Sequence, residues 1–598
     1  MVTRSTLDES PSTARIVTTH PNAIFLMERK ARLMRYRRVL LFFVLFLVLL
    51  IWKLVDIQFI QAGFYKEKAK AYRTQSGILA SRGRILDRNG QILAQDVIVY
   101  DIYAHPQYFF NQKLEDMARQ LSPILDKPVD AVFSQLDVKH STISLARNMD
   151  KGHAQKIIAL KLSGIEAHKK TLRRYPQGHL ASHLIGYVSD EAGISTGIES
   201  TASDVLRKMP FDVSDAQLTG QGDFVNVHRL KPEMITHIPK ANDVELTIDS
   251  RIQYAAENAL RQGLERVRAE RGSAIVIDPR TGEILAWAVA PDFNPEEYFK
   301  AKAEDLKNWA LTDVYPPGST IKILTVACGL EAGVIQQDSR ILDTGKWGAK
   351  DYTIMNHDYS KTGAPGSIDL VYLLQHSSNI GSLKISLMIP PEAHYKLLRG
   401  FGFGSPTGID LTGESGGILD KPDAWSSLQH ATMGYGYGLA STPVQMASAV
   451  SAIANDGVWI TPHIQKNQKN LVKRRVVSEK TSTIMANLLT QSIERQKAST
   501  YYLPGYHLAG KTGTSRKPGK SGNYSSDVFT SFVGYFPAHD PKVLIMVVVD
   551  SPKTGNAWGA TVAGPIFHQL ALQTAGYLGI KPDTINNGVL PEPTAPHG

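Results

Sequence analysis

Tyr315-Pro-Pro-Gly-Ser-Thr-Ile-Lys322 sets a serine and a lysine three residues apart, where a Pro-Gly turn gives way to an apolar run through Ile321, Ile323, Leu324, Val326 and Leu330. The run predicts a buried helix opened by Ser319. Three residues is about one helical turn, so Lys322 shares a face with Ser319 and its stem can fold onto the hydroxyl. A serine at a helix N-terminus also sits among unpaired N–H groups, where an oxyanion is favoured. Lys322 can act as a base only if burial and a second cation lower its pKa.

Two later segments supply what such a serine lacks. Ser377-Ser-Asn379 offers a proton shuttle, and Lys511-Thr-Gly-Thr514 offers an anion clamp and the second cation, Lys511. Each is weak alone: a serine and lysine three apart recur by chance in 598 residues, Ser and Asn gather in ordinary turns, and KTGT can end a polar strand. Together and in this order they predict one serine acyl-transfer site.

Other motifs compete and fail on context. Gly505-Tyr-His-Leu-Ala-Gly510-Lys511-Thr512 fits the phosphate-loop pattern, but a strand begins near Tyr506 inside the supposed loop, and 514–523 carries too much Pro and Gly for the required helix. Gly413-Glu-Ser-Gly-Gly417 fits a nucleophile elbow, but Asp420-Lys-Pro422 stands where the long helix should follow. Gly434-Tyr-Gly-Tyr-Gly438 and Gly400-Phe-Gly-Phe-Gly404 lack the preceding strand and later acid of a dinucleotide loop. The 18 histidines form no HExxH pattern and the single cysteine, Cys328, lies in the helix behind Ser319, so no metal or cofactor is expected and Cys328 reads as core.

Composition agrees with a large enzyme: 43% of residues are hydrophobic and 20% charged, enough for at least two domains with real cores. The formal net charge is +10. Residues 1–38 hold eight Lys or Arg against Asp8, Glu9 and Glu28, half of that excess. The rest is too dilute to suggest nucleic acid. The basic tail 1–38 instead precedes an apolar run, 39–60, that would span about 33 Å as a helix, with Lys53 and Asp56 left to snorkel or face a partner. The basic cluster Arg29 to Arg38 and the lack of a small-x-small cleavage site predict a retained single-pass anchor with a cytoplasmic N-terminus.

Beyond the anchor, Arg82-Gly-Arg-Ile-Leu-Asp87-Arg-Asn89-Gly90-Gln-Ile-Leu reads as two short strands joined at an Asn-Gly turn. Residues 110–240 read as short amphipathic helices and loops without a catalytic pattern, part of a spacer over 61–243. From 244 to 580 the pattern changes: Val244 to Asp249 is a strand leading to a helix from Gln253 to about Arg268, Ala274 to Asp278 and Glu283 to Trp287 form a hairpin, and Val543 to Asp550 is a buried strand. Strands at both ends of a helical centre predict one α/β sandwich sheet built from distant segments. From Asn586 the chain is Pro-rich, and 581–598 reads as a disordered tail.

From Arg82 to about Leu578 the chain resembles a class B penicillin-binding protein, and most of all the cell-division transpeptidases; the serine-lysine, Ser-x-Asn and KTG set is shared with the β-lactamases. Asn308-Trp-Ala-Leu-Thr-Asp313, Tyr435-Gly-Tyr-Gly-Leu439, Thr442-Pro443, Gly534 and Pro537 are similar to that group. Tyr315-Pro-Pro-Gly318 departs from it, since division enzymes more usually carry Glu-Pro-Gly there, and the form is familiar in elongation enzymes. The resemblance implies a membrane-anchored, two-part molecule: an α+β pedestal or dimerisation domain, then an α/β serine transpeptidase domain of β-lactamase-like fold. It implies that Ser319, deprotonated by Lys322, attacks the penultimate D-Ala carbonyl of a peptidoglycan stem peptide, with the backbone N–H groups of Ser319 and Thr514 receiving the oxyanion. Ser377 passes the proton to the departing D-Ala, Asn379 holds Lys322 and the substrate amide, and Lys511, Thr512, Gly513 and Thr514 bind the terminal carboxylate. Implied partners are β-lactam antibiotics, the bacterial inner membrane and division-machinery proteins that include a membrane glycosyltransferase. An elongation-type transpeptidase, a carboxypeptidase or β-lactamase-like hydrolase, and a non-catalytic β-lactam-binding scaffold are the alternatives; no carboxylate base for the hydrolase is identifiable by motif between Asn379 and Lys511, and 38 residues are too few for a sensor's signalling domain.

Overall fold

The computed structural model describes residues 40–56, 82–110, 112–137, 142–189, 193–207, 242–349, 352–519 and 524–583. The basic tail, the ends of the 39–60 run and the Pro-rich terminus after 583 lie outside the described residues. The chain divides into two units, Met1–Leu79 with Ser214–Ile235, and Ala80–Val213 with Thr236–Gly598. In the first, residues 40–56 are helical with apolar side chains exposed from Leu40 to Val55, and Lys53 pairs with Asp56 at 2.8 Å. No helix among the described residues is long and apolar enough to cross a membrane.

In the second unit, Ile85–Leu86 (β1) turns back into Ile92–Ala104 (β2), as the Asn-Gly pair predicts: Asp87 Oδ1 accepts from the N–H groups of Asn89 and Gln91 at 2.8 Å, and Gly90 takes φ +83°. β2 lies between two antiparallel neighbours, Ile143–Met149 (β3) and Ile165–Arg174 (β4). Neither is legible in the sequence, where 110–240 reads as helices and loops. β4 is IEAHKKTLRR, whose polar positions leave no apolar alternation, and ten consecutive pairings to β2 hold it extended. The expected helices are present at Leu114–Leu125, Val129–Leu136 and Lys151–Ala159, and pack Met117, Leu121, Leu136 and Ile157 against Ile102 and Leu145.

Val244–Glu245 (β5) pairs in parallel with β1 and leads to Asp249, whose carboxylate caps the helix Ser250–Val267 (α1) by accepting from Arg251 N. Arg271–Ile277 (β6) and Ile284–Ala290 (β7) form the expected hairpin. A helical segment follows, including Lys322–Glu331 (α2), Asn379–Met388 (α3) and Pro443–Ala454 (α4). α4 is buried on every side, opened by Pro443 and a reciprocal capping box between Thr442 and Gln445. The chain then returns to the sheet with Ala509–Pro518 (β8), Tyr524–Phe536 (β9) and Val543–Asp550 (β10), and ends its described part with Ala563–Leu578 (α5).

The five strands pair antiparallel in the order β8-β9-β10-β6-β7, so the sheet is assembled from both ends of the sequence, as expected. Ile252 and Leu260 of α1 and Phe567 and Leu570 of α5 cover one face over Val276 and Val547; Val444 and Val450 of α4 meet Ile275 and Val548 on the other. Cys328 is buried core. The strand carrying KTGT begins at Ala509 rather than near Tyr506, and stays extended through Pro518, which removes the helix a phosphate loop needs. After Gly413 to Gly417 comes a one-turn segment, Pro422–Ala424, not the long helix of an elbow.

Candidate active site

Tyr315 is clamped by reciprocal backbone hydrogen bonds with Ser441 at 2.9 and 3.0 Å, and Pro316 O accepts from Ser515 Oγ at 2.6 Å, so the serine turn is tied to both α4's approach and β8. Gly318 takes φ +56° and faces Gly436; a Cβ on Gly436 would lie 2.2–2.4 Å from the Gly318 backbone. Only glycine allows that approach. Ser319 falls in a 3-10 turn, Gly318–Ile321, that runs into α2, rather than opening the α-helix itself as the sequence predicts. It is half-buried.

Lys322, the first residue of α2, is wholly buried. Its Nζ donates to Ser377 O at 2.6 Å, Ser377 Oγ at 3.1 Å and Asn379 Oδ1 at 2.8 Å. Among the described residues it forms no hydrogen bond to Ser319 Oγ, so the expected fold-back onto the hydroxyl is replaced by contact with the Ser377 to Asn379 turn. Catalytic bonds of this kind often tighten only with substrate bound. Ser377 sits at φ +55°, left-handed for a non-glycine residue, which turns both its carbonyl and hydroxyl toward Lys322. Ser378 caps α3 by accepting from Gly381 N, and Asn379 is anchored by Nδ2 to Met355 O at 2.9 Å.

Lys511 on β8 is 4% exposed, with Nζ donating to Thr512 O at 3.2 Å and, more weakly, to Thr512 Oγ1 at 3.4 Å. Burial pushes its pKa down to about 7. Lys322 is held well below the ordinary lysine value, first by burial and then by the charge of Lys511, while Asp343 acts in the opposite direction. Gly513 faces the serine turn, where a Cβ would meet Thr320 Cγ2 at 2.9 Å and Ser531 Oγ at 2.4 Å. Thr514 Oγ1 accepts from Gly559 N at 3.0 Å. Among the described residues β8 is an edge strand, paired on one side only, to β9.

The structure therefore brings Lys322, Ser377 and Asn379 into direct contact and sets Lys511 within electrostatic reach. It adds residues that no motif marks. Asn356 Oδ1 accepts from Asn379 N and Ile380 N at 2.8 and 3.1 Å, and its Nδ2 donates to the buried Asp343. His357 lies against Trp558, ring centroids 5.9 Å apart, and feels the charges of both lysines. Tyr437 Oη accepts from Arg516 N at 2.9 Å.

A buried lysine bridging a helix turn to a Ser-x-Asn turn, opposite a second buried lysine on an edge strand, defines a serine acyl-transferase of the penicillin-binding class. Residues 272–572 match the penicillin binding protein transpeptidase domain and residues 77–221 the penicillin-binding protein dimerisation domain. The chain belongs to the penicillin-binding transpeptidase family. It is 30% identical over 518 residues to the peptidoglycan D,D-transpeptidase FtsI of Escherichia coli K12, covering 86% of each chain, and 31% identical over 514 residues to the probable peptidoglycan D,D-transpeptidase PbpC of Pseudomonas aeruginosa, covering 85% of this chain and 89% of that one. Among solved structures, penicillin-binding protein 3 of Mycobacterium tuberculosis complexed with aztreonam superposes with a TM-score of 0.63 at 25% identity, over 84% of this chain and 98% of that one.

Proposed function

We propose that the protein is a peptidoglycan D,D-transpeptidase that cross-links stem peptides through an acyl-enzyme on Ser319, at the division septum. The observation that carries this is the Lys322 contact with Ser377 and Asn379 beside Lys511. Lys322, kept short of its ordinary basicity, takes the Ser319 proton as Oγ attacks the penultimate D-Ala carbonyl. The oxyanion is received by the N–H groups of Ser319 and Thr514. The C–N bond breaks, and the proton returns through Ser377 to the departing D-Ala. Asn379 holds Lys322 and the substrate amide, while Lys511, Thr512, Gly513 and Thr514 receive the carboxylate on the open edge of β8. An amine of a neighbouring stem peptide then attacks the ester, forming the cross-link and freeing Ser319.

The division role is favoured by the FtsI relatives, which are similar over most of their length. We assign 1–38 to a cytoplasmic tail, 39–60 to a single-pass inner-membrane anchor, 61–243 to a pedestal, 244–580 to the catalytic domain and 581–598 to a tail. The exposed apolar side chains of 40–55 and the mutual pairing of Lys53 and Asp56 support the anchor. Division-machinery proteins, including a membrane glycosyltransferase, are the expected partners. β-Lactams occupy the donor site in place of D-Ala-D-Ala.

The test is covalent labelling. Benzylpenicillin adds one adduct at Ser319, absent in Ser319→Ala, and the adduct persists for many minutes, since a transpeptidase protects its acyl group from water and the motifs supply no hydrolytic base. An adduct on Ser415, or labelling of Ser319→Ala, overturns the assignment. Rapid return to the unmodified mass with steady drug hydrolysis places the protein among the β-lactamases.

A further inference from the structure

Asp343 ends the strand Arg340–Asp343 and is wholly buried, yet it pairs with no lysine or arginine among the described residues. Its oxygens are used otherwise. Oδ1 accepts from Gly345 N at 2.7 Å, both oxygens accept from Asn356 Nδ2 at 3.0 and 2.8 Å, and Ser378 Oγ donates to Oδ2 at 2.5 Å. Both side-chain partners reach onward to the site. Asn356 Oδ1 accepts from Asn379 N and Ile380 N, and Ser378 Oγ accepts from Gly381 N at 2.8 Å. One carboxylate thus braces the turn that holds Ser377 in its left-handed conformation and aims Asn379. Ser377 and Asn379 provide all three acceptors for Lys322 Nζ.

The charge has a second use. A buried carboxylate without a contacting cation is costly unless a positive charge faces it. Among the described groups, Lys322 feels Asp343 and Lys511; Tyr372 feels Asp358 and Asp343; His357 feels both lysines, Asp358 and His376. The buried Asp343 charge acts on Lys322, where it favours the ammonium against burial and the charge of Lys511.

We propose that Asp343 is a positioning residue for acylation: through Asn356 and Ser378 it orients the Ser377 to Asn379 turn against Lys322, and its buried negative charge acts on the Lys322 ammonium. This rests on the reading of Ser319 as nucleophile and Lys322 as its base.

The experiment measures the second-order constant for acylation by benzylpenicillin, from intact mass, between about pH 5 and about pH 9, for the full chain, Asp343→Asn and Ser378→Ala. Asparagine keeps an oxygen acceptor for Gly345 N and Asn356 Nδ2 but removes the charge. Since the Asp343 charge favours the Lys322 ammonium, its loss moves the acid limb of the profile to lower pH. Ser378→Ala keeps the charge and loosens the turn, so the limb stays in place and the plateau falls about ten- to a hundredfold, the scale of a misplaced catalytic group. A purely structural role would lower both plateaus without moving either limb. An unmoved limb in folded Asp343→Asn, or an unchanged plateau in Ser378→Ala, overturns the proposal. Where Asp343→Asn shows no cooperative melting, Asp343→Glu takes its place: it keeps the charge on a longer stem, so the plateau falls while the acid limb stays near that of the unmodified chain, and an unchanged plateau or a limb moved to lower pH overturns the proposal. Failure of the unmodified chain to acylate at Ser319 would instead sink the underlying functional reading.

Discussion

Lys322 and Lys511 are the same residue type in similarly buried positions, and the structure gives them different work. Lys322 touches Ser377, the proposed proton shuttle; Lys511 touches Thr512, part of the proposed carboxylate clamp. Arginine in place of Lys322 keeps a cation but cannot shed its proton near neutrality, so Lys322→Arg is expected to lose at least about a hundredfold in penicillin acylation, the scale of general-base catalysis. Substantial labelling by that variant would make the lysine only electrostatic. Lys511 predicts a pH limb. Its pKa lies at about 7, so in the free enzyme the cation that attracts the carboxylate is present below that pH and fades as pH rises through it. The second-order acylation constant should therefore fall above about 7, and Lys511→Arg, cationic throughout, should abolish that fall. If the limb survives in Lys511→Arg, it belongs to another group. The five catalytic candidates were legible because each belongs to a short local pattern. Asp343 and Asn356 were not, since Asp343 meets Ser378 across 35 residues and Asn356 reaches Asn379 across 23.

β8 is positioned by elements with no motif of their own. Gly559 passes so close that a Cβ would lie 2.4 Å from Gly513 O and 2.6 Å from Ser531 O, backbone atoms that cannot rotate away. Gly559→Ala must displace β8, and a shift of about 1 Å costs on the order of a hundredfold in acylation. Gly555→Ala, with nothing within 4 Å of its Cβ, is the control and should label normally. A Gly559→Ala variant with normal labelling would show that the strand gives without harm. At α4, removing the Thr442 cap in Thr442→Ala should cost about 1 kcal/mol, read from urea unfolding. Here too the sequence was uneven. The Thr442-Pro443 start of α4 can be read locally, whereas β4 is a strand only because β2 pairs along its whole length.

At the scale of the second unit, the segment before Val244 and the part of the chain that builds the five-stranded sheet meet through polar contacts as well as through β1 and β5. Arg174 pairs with Glu296 at 2.6 Å, and Ala181 N donates to Glu257 at 2.8 Å. Beneath that junction Glu199 is fully buried between Arg82 and Arg173, each donating Nε to one carboxylate oxygen at 2.6 Å. Glu199→Gln removes the anion that the two guanidinium groups share while Arg173 keeps Asp96 at 3.1 Å, so the loss should lie toward the lower end of the roughly 3–5 kcal/mol of a broken buried pair. Urea unfolding should show an early transition, while penicillin still acylates the folded fraction at its usual rate. A single unshifted transition would mean that the pair is dispensable.

The sequence by itself determined the candidate site residues Ser319 and Lys322, the Ser-x-Asn turn and the KTGT strand, along with the hairpin of β6 and β7 and the buried β10. Those features rest on spacing, apolar runs and turn residues, which act over one or two turns of chain. Only the tertiary structure decided that Lys322 reaches the Ser377 turn instead of Ser319 Oγ, that Asp343 and Asn356 brace that turn, and that β3 and β4 are strands. Those outcomes depend on pairings and buried hydrogen bonds between residues far apart in the chain, whose partners exist only once the sheet and its helices have assembled.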